Sequence, residues 1–253
     1  AVAYFLSKKL FKNEQVAQLG AFFLAISPWH LQFSRGAFEG NMGLFLSTSA
    51  IYFFIVAAQT KKLLYIPSFV FFALALYTFT GQRLFVPFIL IILTLQFRNE
   101  ILKNYKIFLL GAFIFLALSL PVAKFSQTKE GRLRFDEVTI FKDLAPSDTA
   151  IHYKAADNNS FFSNIIHNRR VFYFYEYLGH YLDAFKPSFL FVSGDVNPRL
   201  STQSVGELYY LDLILVPIGI YFLIVVKNPY AFLILGWLLD SPLGPATARE
   251  TPH

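Results

Sequence analysis

Long apolar runs separated by short polar segments are the dominant pattern of this chain. A helix rises about 1.5 Å per residue, so a run of about 20 apolar residues crosses the hydrocarbon core of a bilayer. We therefore predict a bundle of membrane-spanning helices, preceded by the end of a further helix at residues 1–6. The predicted segments are 15–33, 43–58, 63–80, 84–97, 107–123, 208–226 and 230–239. The last run is short and completes a crossing only if Asp240 lies at the interface.

A polar corner, residues 27–41 with the sequence SPWHLQFSRGAFEGN, joins the first two complete segments. Arg35 and Glu39 are four residues apart, so a continuous helix would place them on one face and allow them to pair. Charged residues between two apolar runs lie at the boundary of the membrane. This corner is therefore the first candidate for a functional site.

The composition supports a membrane location and excludes several kinds of site. Hydrophobic residues make up 55%, aromatic residues 19% and charged residues 15% of the 253 positions, which is too apolar for an ordinary soluble domain. The absence of cysteine excludes disulfides, thiolate metal sites and a cysteine nucleophile. The net charge of +6 comes from lysines clustered between apolar runs, so we predict no nucleic-acid partner.

The distribution of basic residues predicts the orientation of the bundle. Nine of them lie in the short loops and chain ends on one side of the alternating path, whereas the short loops on the other side carry only Arg35 and Arg83. Because basic loops stay in the cytoplasm, the corners that contain Arg35 and Arg83 are predicted to face outward, together with residues 124–206 and the C-terminal segment. The residues on the cytoplasmic side are Lys8, Lys9, Lys12, Lys61, Lys62, Arg98, Lys103, Lys106 and Lys227.

We predict three regions: an N-terminal part of the bundle at 1–123, an extracytoplasmic loop at 124–206, and further membrane helices at 207–253. Within the loop, residues 161–185 mix aromatic and charged side chains, as expected of a pair of amphipathic helices at the membrane interface. The simplest role of these aromatic residues is to anchor the loop on the bilayer. The chain starts inside an apolar run and stops shortly after another, so we expect it to be a piece of a longer membrane protein.

Polar residues at the predicted outer ends of the helices form the candidate site. Arginine keeps its charge and binds oxyanions through two hydrogen bonds, which suits a phosphate or pyrophosphate, and a carboxylate beside it could act as a base or orient a hydroxyl. Alternatively, the arginines only reach lipid headgroups and Glu39 only neutralises Arg35. The candidates are His30, Arg35, Glu39, Asn41, Gln82, Arg83, Asp195, Asn197, Arg199, Arg249 and His253.

Common catalytic motifs are missing from the sequence. It has no P-loop, no glycine fingerprint of a dinucleotide site, no HExxH motif and no GxSxG motif. The five histidines include no pair at the spacing of helical metal ligands, so we predict no metal site built from this chain and no cofactor.

Three stretches carry a resemblance to a known family: ISPWHLQFSRGAFEGNMGLFL, LYTFTGQRLFVPFIL and PSFLFVSGDVNPRLSTQSVGELYYLDLILVPIG. With the C-terminal SPLGPATARETPH, their order and spacing resemble the GT-C glycosyltransferases of the protein-mannosyltransferase type, which include the aminoarabinose transferases. The resemblance implies an all-α polytopic membrane protein, a GT-C-like helix bundle whose long outer loop contains interfacial helices. It also implies transfer of a sugar from a polyprenyl-phosphate donor to a protein, glycan or lipid acceptor outside the membrane.

The resemblance also implies roles for the candidate residues. The primary catalytic acid of the family lies in a first outer loop that would precede Ala1, so we expect this fragment to be inactive alone. Glu39 matches a second acidic residue, and the phosphate-binding role falls to Arg35, Arg83, Arg199 and Arg249. The substrate-side candidates are His30, Asn41, Gln82, Asp195, Asn197 and His253.

Two other functions stay open on the sequence alone. A transporter or flippase of lipid-linked sugars would use the same membrane lipids, and a non-catalytic scaffold subunit would need no acidic loop. Transporters often place ionisable residues at the middle of the bilayer, and this sequence has essentially none there. We therefore favour the enzyme, in the plasma membrane, which in a prokaryote is the inner membrane.

Overall fold

The computed structural model describes residues 1–158 and 160–252, with all of their side chains except that of Arg134. The described residues form helices and no β-strand, so the predicted all-α membrane helix bundle is confirmed. The α-helices are α1 Val2–Phe11, α2 Glu14–Ile26, α3 Pro28–Arg35, α4 Glu39–Gln59, α5 Tyr65–Thr78, α6 Gln82–Gln96, α7 Arg98–Lys103, α8 Tyr105–Phe125, α9 Lys129–Val138, α10 Ala145–Ala156, α11 Phe161–Ile166, α12 Arg169–Asp183, α13 Asp212–Val225 and α14 Ala231–Asp240.

Helix α4 forms the centre of the bundle. It packs against α1 and α5, α5 packs in turn against α8, and α6 packs against α14. Small residues such as Ser49 and Ala50 are buried along α4, which lets the neighbouring backbones approach closely. The hydroxyl of Ser68 on α5 donates a hydrogen bond of 2.8 Å to the carbonyl oxygen of Ala50. Small residues and an interhelical hydrogen bond therefore add to the bulky apolar contacts at the centre.

Two described helices, α4 and α8, are each 21 residues long and apolar enough to cross a membrane. Only 6% of the most apolar stretch of α8 is buried, which leaves most of that helix free to face lipid. The other apolar helices are shorter. The single crossing predicted for residues 15–33 is wrong, because the chain ends α2 at Ile26 and starts α3 at Pro28. Proline lacks a backbone N–H and forces the preceding Ser27 into an extended conformation, with φ −61° and ψ 140°.

The corners of the bundle meet at one end, which we call the corner rim: residues 27–38, 79–81, 126–128 and 241–252. Two contacts define it. The Nη1 of Arg83 donates a hydrogen bond of 3.2 Å to Ser126 Oγ, which follows α8. Gly244 lies against Gly81 so closely that a Cβ at Gly244 would be 3.1 Å from the Cα of Gly81. The C-terminal ends of α5, α8 and α14 and the start of α6 therefore lie at this end of the bundle.

The opposite rim is closed by the short connection between α13 and α14. The Nε2 of Gln96 donates a hydrogen bond of 2.9 Å to the carbonyl oxygen of Pro229, and Gln59 donates one to the hydroxyl of Tyr230. Tyr230 also packs on Phe97, with 6.2 Å between the ring centroids. The last helix is thus tied to α4 and α6 at the end opposite the corner rim.

The two helices predicted within residues 161–185 are present as α11 and α12, and their placement at the membrane interface stays a prediction. Tyrosine hydroxyls attach α12 to the C-terminal segment: Tyr177 donates a hydrogen bond of 3.1 Å to the carbonyl oxygen of Leu243, and Tyr181 one of 2.8 Å to that of Leu239. The large apolar side chains of α11 remain exposed, among them Phe161 at 74%. The region between α8 and α13 therefore lies against the corner rim rather than away from it.

Candidate active site

The corner at residues 27–41 is bent, and the predicted pairing of Arg35 with Glu39 is wrong. Helix α3 ends at Arg35, Ala37 has a left-handed φ of 49°, and α4 begins at Glu39. Phe38 folds back onto Phe33, with 5.1 Å between the ring centroids. Because the helix is interrupted, the two charges do not share a helical face, and the described residues include no ion pair between them.

A first pocket, the arginine pocket, lies at the corner rim between α4, the end of α5 and the start of α6. It has a volume of about 110 Å³. Its lining combines a carboxylate, a guanidinium and several hydroxyl groups, so one small space offers both a negative and a positive charge. The lining residues are Glu39, Tyr77, Thr78, Phe79, Thr80 and Arg83.

The Arg83 guanidinium retains hydrogen-bonding capacity. It is half-buried, and its Nε is fully buried with no hydrogen-bond partner among the described residues. Within the described residues, its one side-chain hydrogen bond goes from Nη1 to Ser126 Oγ. A buried donor without a partner costs free energy, so an oxyanion that accepts from Nε would relieve that cost. Arg83 is therefore the group in this pocket best suited to an anionic ligand.

Packing beneath the arginine pocket fixes the start of α6. The hydroxyl of Ser47 on α4 donates a hydrogen bond of 2.6 Å to Gln82 Oε1, and this places the first turn of α6 beside α4. Gly43 allows the close approach, because a Cβ there would lie 2.8 Å from Thr78 Oγ1. Gln82, which was predicted to contact substrate, is thus engaged with the bundle and positions Arg83.

A second pocket, the tryptophan pocket, lies between α3 and the segment that precedes α13. It has a volume of about 240 Å³. The backbone N–H of Trp29 donates a hydrogen bond of 3.3 Å to the carbonyl oxygen of Glu207, which joins the two walls. Aromatic rings and two buried carboxyl groups thus face a common space. The lining residues are Trp29, Phe33, Phe189, Asp195, Leu200 and Glu207.

Asp195 and Asn197 shape the turn beside this pocket. Oδ1 of Asp195 accepts a hydrogen bond of 2.7 Å from the backbone N–H of Asn197, and Oδ1 of Asn197 accepts one of 3.0 Å from that of Arg199. Such side-chain turns hold a loop in one conformation. The backbone N–H of Asp195 also donates a hydrogen bond of 2.9 Å to Glu207 Oε1. Asp195 therefore orients the carboxyl group of Glu207.

The remaining candidates lie at other places on the same rim. His30 packs edge-on against Trp29, with 5.5 Å between the ring centroids, and Asn41 Nδ2 donates a hydrogen bond of 3.1 Å to Ser34 Oγ. Arg249 Nε donates one of 3.1 Å to the carbonyl oxygen of Thr139. Arg35 and Arg199 are exposed, and neither they nor Arg249 line the arginine pocket. His253 lies outside the described residues.

The structure brings together Glu39 and Arg83 in one pocket and Asp195 with the corner in the other. A group of three or more histidines, aspartates or glutamates that could hold a metal ion does not occur in the described ranges. The two pockets share the corner, because Trp29 and Phe33 line one and Glu39 lines the other.

Residues 1–125 match the model of a family described as dolichyl-phosphate-mannose-protein mannosyltransferase. The matched range is just under half of the 253 residues. The match confirms the resemblance predicted from the sequence and identifies a membrane glycosyltransferase of the GT-C type. Neither a curated relative nor a solved structure matches the chain significantly.

The family match covers only part of the two pockets. All the residues of the arginine pocket lie within 1–125, as do Trp29 and Phe33. Phe189, Asp195 and Glu207 follow that range, so the tryptophan pocket is built half from the mannosyltransferase-family segment and half from the chain after it.

Sequence reasoning missed Trp29, Glu207 and Ser126 as parts of these sites. Trp29 is one of two tryptophans in the chain and lies where an apolar run ends, which is a usable signal for a pocket wall. Glu207 comes directly before an apolar helix and after Gly206, and this resembles an ordinary loop end. Ser126 carries no signal of its own, because its contact with Arg83 depends on how α6 and α8 pack.

The protein should lose stability as the pH rises because of Glu207. Burial raises the pKa of the Glu207 carboxyl, the hydrogen bond from the Asp195 N–H lowers it by less, and the nearby Asp195 carboxylate raises it further. As the pH rises from the ordinary glutamate range through the raised pKa, the unfolded chain releases this proton before the folded chain does. Folding stability therefore falls across that window and is constant above it.

Thermal unfolding of the detergent-solubilised protein between about pH 4 and about pH 7 measures this effect. The Glu207→Gln variant has no proton to release at this position and should show a smaller fall in unfolding temperature than the unmodified protein. A variant whose unfolding temperature falls as steeply as that of the unmodified protein contradicts the assignment.

Proposed function

We propose that this chain forms part of an enzyme that transfers a sugar from a polyprenyl-phosphate carrier to a hydroxyl group of an acceptor. The observation that carries the proposal is the meeting of Glu39 and Arg83 in the arginine pocket, at the rim of a bundle whose first 125 residues match a mannosyltransferase family. In this proposal the chain crosses the membrane several times, and the corner rim faces outward. The division at residues 123 and 206 then separates the bundle from an extracytoplasmic region.

The Arg83 guanidinium binds the phosphate of the carrier in this proposal. Its buried Nε has no hydrogen-bond partner among the described residues, and Thr80 lines the same pocket. A guanidinium hydrogen-bonded to a phosphate stabilises the charge that develops on the leaving group. Arg35, Arg199 and Arg249 were predicted for the same role; because they lie outside this pocket, the proposal gives the phosphate contact to Arg83 alone.

The reaction consists of a direct displacement at the anomeric carbon with inversion. A bond forms between the acceptor oxygen and the anomeric carbon, while the bond between that carbon and the phosphate oxygen breaks and its electron pair stays on the phosphate. The acceptor hydroxyl gives up its proton to a carboxylate. We propose that Glu39 orients this hydroxyl. The carboxylate that accepts the proton then belongs to the outer loop that the resemblance places before Ala1.

The Glu39→Gln variant should transfer sugar about 10- to 30-fold more slowly than the unmodified protein, because one hydrogen bond to a charged group is lost. The measurement uses the complete polypeptide, with the loop expected before Ala1, reconstituted in liposomes with a radiolabelled polyprenyl-phosphate sugar. Glu250→Gln, an exposed carboxyl outside both pockets, is the matched control and should keep the full rate.

Two outcomes of this assay contradict the proposal. Unchanged transfer by the Glu39→Gln variant removes Glu39 from the reaction. Movement of the labelled carrier across the bilayer without transfer to any acceptor shows a transporter rather than a transferase.

A further inference from the structure

We propose that the tryptophan pocket binds a sugar ring, and that Glu207 and Trp29 are its principal contacts. The pocket has a volume of about 240 Å³. Pockets for drug-sized ligands begin at about 300 Å³, so this pocket suits a smaller ligand. A single pyranose ring with its hydroxyl groups is a ligand of the corresponding size. That this ring takes part in transfer rests on the function proposed above, whereas its binding does not.

The aromatic wall suits the apolar face of a sugar. Trp29 and Phe33 lie edge-to-face, with 6.3 Å between ring centroids and 73° between ring planes, and Phe189 lines the same space. Trp29 is only half-buried, so part of the indole remains available to a ligand. The C–H groups of a pyranose present a flat apolar surface that such rings cover, and the hydroxyl groups then point to the pocket edges.

Glu207 supplies the polar contact at one of these edges. The residue is 9% exposed, and its Oε1 accepts the hydrogen bond from the Asp195 N–H. Its Oε2 receives no hydrogen bond from any residue that the structure describes. A carboxylate oxygen can accept hydrogen bonds from ligand hydroxyl groups, and such charge-assisted bonds are stronger than neutral ones. Oε2 is therefore the acceptor that a sugar hydroxyl would use.

Two glycines hold Glu207 in this position. A Cβ at Gly206 would lie 2.5 Å from the carbonyl oxygen of Leu190. Only glycine therefore lets this segment approach the short π-helix at Ser188–Ser193. Gly194 has a left-handed φ of 69°, and a Cβ there would lie 2.9 Å from Glu207 Oε1. The backbone is thus fitted closely around one carboxyl group, as expected of a binding wall rather than of a free loop.

The two walls are joined at further points besides the bond between Trp29 and Glu207. Gln32 Nε2 donates a hydrogen bond of 3.2 Å to the carbonyl oxygen of Arg199, and the Tyr209 hydroxyl donates one of 2.8 Å to that of Ile26. One wall lies beyond the family match, so a segment outside residues 1–125 contributes half of the proposed sugar contacts.

Saturation-transfer NMR on the complete protein in detergent micelles tests the proposal, with methyl α-D-mannopyranoside as the probe. The unmodified protein should give a saturable signal. Trp29→Leu and Glu207→Gln should each raise the dissociation constant about tenfold, because the first removes the aromatic surface and the second replaces the charged acceptor with a neutral amide. The same substitution at the other tryptophan, Trp237→Leu, should leave the constant within about twofold, since Trp237 packs on Phe85 away from the pocket.

Three results overturn the proposal: no saturable signal from the unmodified protein, an unchanged constant in both pocket variants, or displacement of the mannoside by ethylammonium chloride at constant ionic strength. The last result would show a cation site. Thermal unfolding reports whether each variant folds. If one pocket variant does not fold, the dissociation constant of the other decides the proposal. Because no transfer is measured, failure here is distinct from failure of the Glu39→Gln experiment.

Discussion

Replacing Arg83 with alanine should lower the rate of sugar transfer by about two to three orders of magnitude. Removal of a single preorganised donor to a developing negative charge has an effect of about that size. The guanidinium is half-buried, and its Nε has no partner in the part of the chain that the structure describes, so its charge is less screened than that of an exposed arginine. The measurement is the transfer assay with reconstituted protein and a labelled polyprenyl-phosphate sugar.

Two further variants sharpen this prediction. Arg83→Lys keeps the positive charge but loses the planar pair of donors, so its rate should lie between those of the unmodified protein and the alanine variant. Arg199→Ala removes an exposed guanidinium outside the arginine pocket and should lower the rate by no more than about twofold. Equal losses at Arg83 and Arg199 would mean that the carrier phosphate contacts a broader basic surface than this pocket.

Replacing Phe54 with alanine should lower the free energy of unfolding by about 3–5 kcal/mol. Phe54 is fully buried in α4 and contacts the rings of Tyr65, Phe69, Phe97 and Phe108, with centroid distances of 5.2–6.2 Å. In a bilayer these packing contacts are the main attraction between helices, and alanine would leave a cavity among four rings.

The matched control is Phe113→Ala on α8. Phe113 is 68% exposed in an apolar helix, so its loss should change the free energy of unfolding by only about 0.5 kcal/mol. Reversible unfolding in mixed micelles with increasing sodium dodecyl sulfate measures both variants. Similar values for the two variants would show that Phe54 is not at the centre of the packed bundle.

The sequence predicted where helices lie better than how they meet. The runs at 43–58 and 107–123 correspond to α4 and α8 because a long apolar pattern has few alternatives to a helix in a membrane. The break between α2 and α3 was missed, although Pro28 was visible, because apolar residues continue past it. Hydrophobicity alone does not record that a proline ends a helix.

The candidate site was predicted as a set of polar residues at one rim, and its internal arrangement was not. Arg35 and Glu39 are close in sequence but separated by the left-handed turn at Ala37. Glu39 and Arg83 are distant in sequence but line one pocket, because α4, α5 and α6 pack through Gly43 and Ser47. Such a meeting depends on the crossing of three helices, which no local pattern specifies.

The tyrosine hydroxyls at the corner rim have a consequence for how this protein can change during evolution. Tyr177, Tyr181 and Tyr209 all donate to backbone carbonyl groups rather than to side chains. Every residue type carries that acceptor, so the recipient positions at Leu243, Leu239 and Ile26 can drift without loss of the attachment. The constraint at these three contacts falls on the tyrosines, and homologues could therefore keep the same attachments with quite different sequences on the receiving side.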